Sequence, residues 1–184
     1  MVGNALLCIP ASPLREALTI AFTGLGWTCH HAQPDDDGSW HQAIAEAAPL
    51  RAMVHAVPPR AHSTFPAFEA DFERVVGSLW RAGTLAAPAM REAGGGAIVV
   101  LATAEGSDPV AAMFGDGLKS LAACLGVAFA EGPAPVRVNA LAVPLPVLRG
   151  QASAALLARA AATAAFLASP DASYITATTV PSGC

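Results

Sequence analysis

The chain carries a single tyrosine, Tyr174, and a single lysine, Lys119, among its 184 residues. A tyrosine hydroxyl whose pKa is lowered by a neighbouring ammonium can hand a proton to a carbonyl oxygen near neutral pH. Any such pair in this chain must be built from these two residues. Thiol and metal chemistry have less to draw on. The four cysteines (Cys8, Cys29, Cys124, Cys184) include no C-x-x-C pair, which reads as reduced and mostly buried thiols. The five histidines show no H-E-x-x-H or comparable ligand spacing. His30 and His31 are adjacent, and in a strand they point to opposite faces. The aspartates of Gln33–Gly38 (QPDDDG) read as a solvated turn and helix cap, so no metal site is expected.

The elements that must position these side chains alternate along the chain. Strands are expected at Ala5–Ile9, Trp27–His31, Ala52–Val57, Ala97–Thr103, Val136–Val143 and Ser173–Val180, short stretches rich in apolar or β-branched residues. Between them, helices are expected at Leu14–Leu25, Ser39–Ala47, Phe68–Ala93 with a bend near Pro88, Val110–Glu131 and Ala152–Ala168. Ser12 followed by Pro13 is an N-cap with proline at the first helical position, and Gly24–Gly26 closes the same helix. Strands alternating with helices predict a doubly wound parallel sheet in one α/β domain spanning residues 1–184. Near-continuous apolar strands fit a sheet covered on both faces.

Composition adds a constraint on surface. Hydrophobic residues make up 54% of the chain and charged residues 13%, about half the usual ~25%. Too little charge to clothe a monomer implies that part of the surface is covered by a partner. Nine of the ten basic residues are arginine, the net charge is −4, and no basic stripe marks a nucleic-acid partner. Met1–Pro10 lacks the basic start and length of a secretory signal. The longest apolar stretches, Leu121–Ala130 and Ala152–Ala168, fall short of a bilayer span, and Arg159 interrupts the second. A soluble, cytoplasmic protein is expected.

Three segments in order give the chain a resemblance. Gly96–Thr103 (GAIVVLAT) is similar to the strand that ends in the catalytic serine of the short-chain dehydrogenase/reductase family. Val136–Ala142 (VRVNALA) is similar to that family's I-R-V-N-x-I-x-P-G strand, and Phe166–Thr176 (FLASPDASYIT) resembles its F-L-A-S-x-x-A-S-Y-I-T-G segment almost residue for residue. The resemblance covers nearly the whole chain and implies a Rossmann-like sheet. Such enzymes move a hydride between a nicotinamide and a carbonyl carbon, with Ser and Tyr hydroxyls on the oxygen, a Lys beside the Tyr and an Asn on the preceding helix.

Carried over position by position, the chemical parts of that resemblance fall on other residue types. Counting back from Asn139, the Tyr and Lys of Y-x-x-x-K land at Phe114 and Leu118, give or take one residue. The serine lands at Thr103 and the helix asparagine near Ser78. Phenylalanine has no proton to give, and leucine holds no charge. The turn that would approach a pyrophosphate reads Cys8-Ile-Pro-Ala-Ser-Pro-Leu14, with no glycine and two prolines lacking N–H donors. His55-Ala-Val-Pro58 stands for N-N-A-G, and Val143-Pro144 for P-G. One strand–helix unit is missing between Trp27 and Ala52, and the substrate lid between Pro144 and Gln151. No catalytic, cofactor-binding or metal-binding residues are therefore expected.

What remains of the resemblance is the assembly apparatus. Related enzymes form dimers and tetramers through two long helices and the C-terminal helix and strand, here Phe68–Ala93, Val110–Glu131 and Ala152–Val180. Gly115, Gly117, Ser120, Ala122, Ala123, Gly126 and Ala130 would permit close approach of the second helix to a partner. The leading expectation is a non-catalytic subunit in a heterodimer or heterotetramer with an active homologue, on hydroxyacyl or ketoacyl substrates. Alternatives are a homo-oligomeric binding or regulatory protein, or an enzyme with new chemistry from Thr103, Glu105, Asp108, Asp116 and Lys119, with Glu105 and Asp116 as acid and base.

Overall fold

A computed structural model describes residues 3–34, 37–61, 64–104 and 108–182. The acidic pair Asp35–Asp36 of the expected turn, Glu105 and Cys184 lie outside the described residues. Six parallel strands form one sheet: β1 (Asn4–Cys8), β2 (Thr28–Ala32), β3 (Leu50–His55), β4 (Gly96–Thr103), β5 (Val136–Val143) and β6 (Thr179–Pro181), in the order β2-β1-β3-β4-β5-β6. The doubly wound order 3-2-1-4-5-6 has three strands on the first side of the sheet. This sheet has two, as the missing strand–helix unit predicts.

Two apolar layers fix which helices cover which face. Leu6, Met53, Ile98, Val100 and Val138 point to one side, where α2 (Asp37–Glu46), α4 (Ser78–Glu92) and α5 (Pro109–Phe129) cover them. Leu7, Val54, Val99, Leu101 and Leu141 point to the other, beneath α1 (Pro13–Gly24), the short α6 (Leu145–Leu148) and α7 (Ala154–Ala168). α1 and α7 pack against each other on that face. The chain steps one way from β1 to β2 and the opposite way from β5 to β6, so these two crossovers have opposite hands. The β1, β3 and β4 connections share one hand, and the β5–α7–β6 connection has the other.

α1 begins as expected, with the Ser12 hydroxyl accepting from the Arg15 N–H at 3.3 Å. The long helix after β3 runs through Pro88 in α4, and its winding changes earlier, at a π turn, Glu73–Gly77, between α3 (Phe65–Phe72) and α4. A Glu73–Arg81 ion pair bridges that turn, and the Glu73 carboxylate lies where a side chain at position 77 would go, which glycine permits.

The last strand is three residues rather than eight. Before it, Ala177 turns to φ +55°, and side chains add to two backbone bonds with β5, Ala177 N–H to the Val138 carbonyl at 2.8 Å and Ala140 N–H to that of Thr178 at 2.9 Å. Asn139 donates to the Ile175 carbonyl at 2.8 Å and accepts from the Thr178 N–H at 3.3 Å, while Thr176 accepts from the Val138 N–H at 3.3 Å.

α5 is long and apolar enough to cross a membrane by length and composition, unlike the stretches read from the sequence. It lies instead along β4 and β5, with Phe114, Leu118, Ala122 and Leu125 buried in the layer.

Candidate functional site

In a doubly wound sheet, ligands bind beyond the carboxyl ends of the strands where the strand order reverses. Here that place lies between β1 and β3, walled by the Ile9–Ser12 turn and by the loop after His55. A dinucleotide does not fit its β1–α1 turn. Pro13 has no N–H, and the Arg15 and Glu16 N–H groups are already held by the Ser12 hydroxyl and carbonyl. A helix start so capped offers little to a pyrophosphate. Burial raises the Cys8 thiol to about 12 at the end of β1, which leaves it protonated and unreactive.

Thr103, at the expected serine position, ends β4 with its hydroxyl donated to the Ala111 carbonyl of α5. The α5 residue facing it is Gly115: a Cβ there would lie 2.2 Å from the Thr103 hydroxyl oxygen. Phe114 is buried with its ring against Phe68 and Phe72 of α3, at centroid separations of 5.5 and 6.3 Å. Leu118 is buried in the same layer. Ser78 sits just past the π turn and meets not Thr103 but His55, whose Nε2 lies 2.9 Å from the Ser78 hydroxyl.

His55 was a missed residue of interest. It is wholly buried at the end of β3, its Nδ1 has no partner, and burial lowers its pKa to about 3. Ser78 also reaches the Val75 carbonyl at 3.3 Å. With the hydroxyl proton donated there, Nε2–H donates to Ser78 and Nδ1 faces the core as a bare acceptor. The sequence signal was available: a histidine inside the apolar run AMVHAV.

The other candidate groups serve local structure. Asp108 caps α5, accepting from the Val110 and Ala111 N–H groups at 3.0 and 3.1 Å. Asp116 and Lys119 form an ion pair at 2.7 Å along the helix. Tyr174 is 99% exposed, which leaves no Tyr–Lys contact. Glu105, outside the described residues, is not placed against any of them. Among the described residues, no three His, Cys, Asp or Glu side chains converge.

Of the small residues on α5, Gly115 and Gly126 turn inward rather than outward. A Cβ on Gly126 would come 2.9 Å from the Ala177 backbone and the Val138 carbonyl. Gly117 opens instead onto an apolar groove of about 520 Å³, formed with Phe68, Phe72, Val76, Met113 and Phe114.

The two best-matching sequence segments prove to be partners. Arg137 of VRVN, part-buried, donates to the Leu167, Ser169 and Ala172 carbonyls at 2.8 to 2.9 Å. It neutralises the end of α7 and the FLASPDA turn, and its lack of full hydration depresses its pKa.

Neither a family model nor a curated protein sequence matches the chain. Solved structures do. The TT0495 protein from Thermus thermophilus superposes with a TM-score of 0.81 at 18% identity, over 98% of this chain and 96% of that one. A mutant of the Serratia marcescens short-chain dehydrogenase/reductase gives 0.78 at 19%, over 97% and 95%. A short-chain dehydrogenase from Mycobacterium smegmatis gives 0.73 at 19%, over 100% and 93%. The chain has the short-chain dehydrogenase/reductase fold, with the sheet cut back by one strand.

Proposed function

We propose that the protein is a non-catalytic subunit of a heteromeric NAD(P)-dependent oxidoreductase, docked on a catalytically complete homologue of the same fold. The observation that carries this reading is the face of α3, α4 and α5. Phe65 on α3 is 69% exposed, Trp80 on α4 55% and Val127 on α5 68%, and α3 and α5 border the groove at Gly117 with Phe72 and Met113. Large aromatic side chains in solvent around an apolar groove are what a docking surface presents. Among the described residues, three candidate groups able to move a proton are tied to structural partners. Thr103 is bound to Ala111, Asp108 to its helix start and Lys119 to Asp116. On this reading the chain completes the partner's assembly and shapes its pocket, in the cytoplasm, with hydroxyacyl or ketoacyl compounds as the partner's substrates.

A homo-oligomeric binding protein would use the same face, with a second copy as occupant. Co-expression with an intact short-chain dehydrogenase encoded beside it, followed by size-exclusion chromatography, separates the two readings. Co-elution of both chains is expected. Recovery of this chain alone as a stable homo-oligomer overturns the heteromer. Detectable dehydrogenase turnover by the isolated chain overturns the non-catalytic role.

A further inference from the structure

The crevice between β1 and β3 is crossed by the chain's own segment Pro144–Gln151, which leaves β5 where a substrate lid is absent. Three contacts hold it there. Val147 and Leu148 of α6 are buried in the same cluster as Ile9 and Leu14 from the opposite wall. Gly150, at φ +67°, lies on the start of α1, where a Cβ would come 2.9 Å from Pro13 Cδ and 3.5 Å from Ser12 Cβ. The Arg149 guanidinium donates to the Pro59 carbonyl at 3.3 Å in the loop after β3. That loop is pinned from its other side: Arg74 donates to the Pro58 carbonyl at 2.7 Å, and the buried Asp71 accepts from the Arg60 N–H at 2.9 Å. The segment is also closed on itself, with Gln151 N–H bonded to the Pro146 carbonyl at 2.7 Å and Gly150 N–H to that of Val147 at 3.0 Å.

We infer that Leu145–Gly150 is a built-in strap that occupies the switch-point crevice and ties the α1 wall to the β3 wall, the place and task of a dinucleotide in this kind of sheet. The fold implies a nucleotide there; the residues present refuse it and supply a covalent replacement. Pro13 at the helix start serves the strap twice. It withholds an N–H from an anion, and it gives Gly150 a flat apolar surface to rest on. The strap therefore makes the closed crevice a fixed state of the chain, independent of nucleotide supply.

Hydrogen exchange with the full chain tests this without any partner, so its outcome is separate from that of the assembly experiment. In the wild type, amides of 148–151, each hydrogen-bonded to a carbonyl of 144–147, exchange slowly. Gly150→Ala, strained at positive φ and blocked by Pro13, lowers the Tm by about 5 °C or more. It also speeds exchange at 12–16 and 56–61 together with 145–151. Arg149→Ala, a milder change, speeds 56–61 and 145–151 with little loss of Tm. NADH and NADPH give no saturable fluorescence change up to about 1 mM, the weak limit of specific binding. Saturable binding of either nucleotide by the wild type overturns the inference. So does fast exchange of 148–151, or an effect of both variants confined to 145–151.

Discussion

His55 has one ring nitrogen on Ser78 and the other without a partner, in a core that cannot solvate an imidazolium. The folded chain keeps this ring neutral down to about pH 3, whereas the unfolded chain protonates it near 6.5. The unfolded state thus binds the extra proton between those values, and stability falls as pH drops from 6.5 towards 3. The loss is on the order of a few kcal/mol. Unfolding measured by denaturant between about pH 4 and 7 is expected to show this slope in the wild type and a shallower one in His55→Leu, which keeps the volume and leaves Ser78 bonded to Val75. Equal slopes would remove His55 from the explanation.

Asn139 makes the complementary case, a buried polar side chain with its groups used. Replacing it by alanine leaves the Thr178 N–H without its acceptor and the Ile175 carbonyl with only the 3.4 Å bond from Arg137. A loss of about 2 to 3 kcal/mol by chemical denaturation is expected.

At the level of elements, strands and helices were legible because their patterns are local. Val136–Val143 falls on β5 to the residue, and Ser12–Pro13 starts α1 as a cap should. What the pattern could not convey was who meets whom. SYITATTV reads as a strand by its β-branched residues, yet the Asn139 side chain from β5 takes the Ile175 carbonyl and the Thr178 N–H, and the ladder is regular only over Thr179–Pro181. The small residues of α5 looked alike in the sequence, yet Gly115 meets Thr103, Gly126 meets Ala177, and Gly117 meets only the far end of Val76 at 4.0 Å.

The positions expected to carry chemistry were located by motif, but their partners were set by tertiary contact: Ser78 with His55, Thr103 with Ala111, Phe114 with Phe68. These differences have separable consequences. Gly115→Ala and Gly126→Ala are each expected to cost about 1 to 3 kcal/mol or more, because backbone stands in the way. Gly117→Ala should gain about 0.5 to 1 kcal/mol from helix propensity. Thermal or denaturant unfolding of the three variants checks the ranking.

For the molecule as a whole, surface area rules out one explanation of the scarce charge. The chain exposes 8214 Å², which is what a compact 18.5 kDa protein exposes, about 8200 Å². The surface is therefore of ordinary size and short of charge; large apolar side chains reach it at α1 (Ile20) and α7 (Phe166), and in greatest number on α3, α4 and α5, at Phe65, Phe72, Trp80, Met113 and Val127. Trp80→Glu places a charge on that face without touching the core, so folding stability should change by less than about 0.5 kcal/mol.

Assembly should not survive it. Native mass spectrometry of the chain co-expressed with an intact short-chain dehydrogenase is expected to find mixed oligomers of fixed stoichiometry. With Trp80→Glu it should find the two chains apart, each still folded. Mixed oligomers that persist unchanged in Trp80→Glu, or a wild-type chain found only with itself, would contradict a subunit that docks through this face.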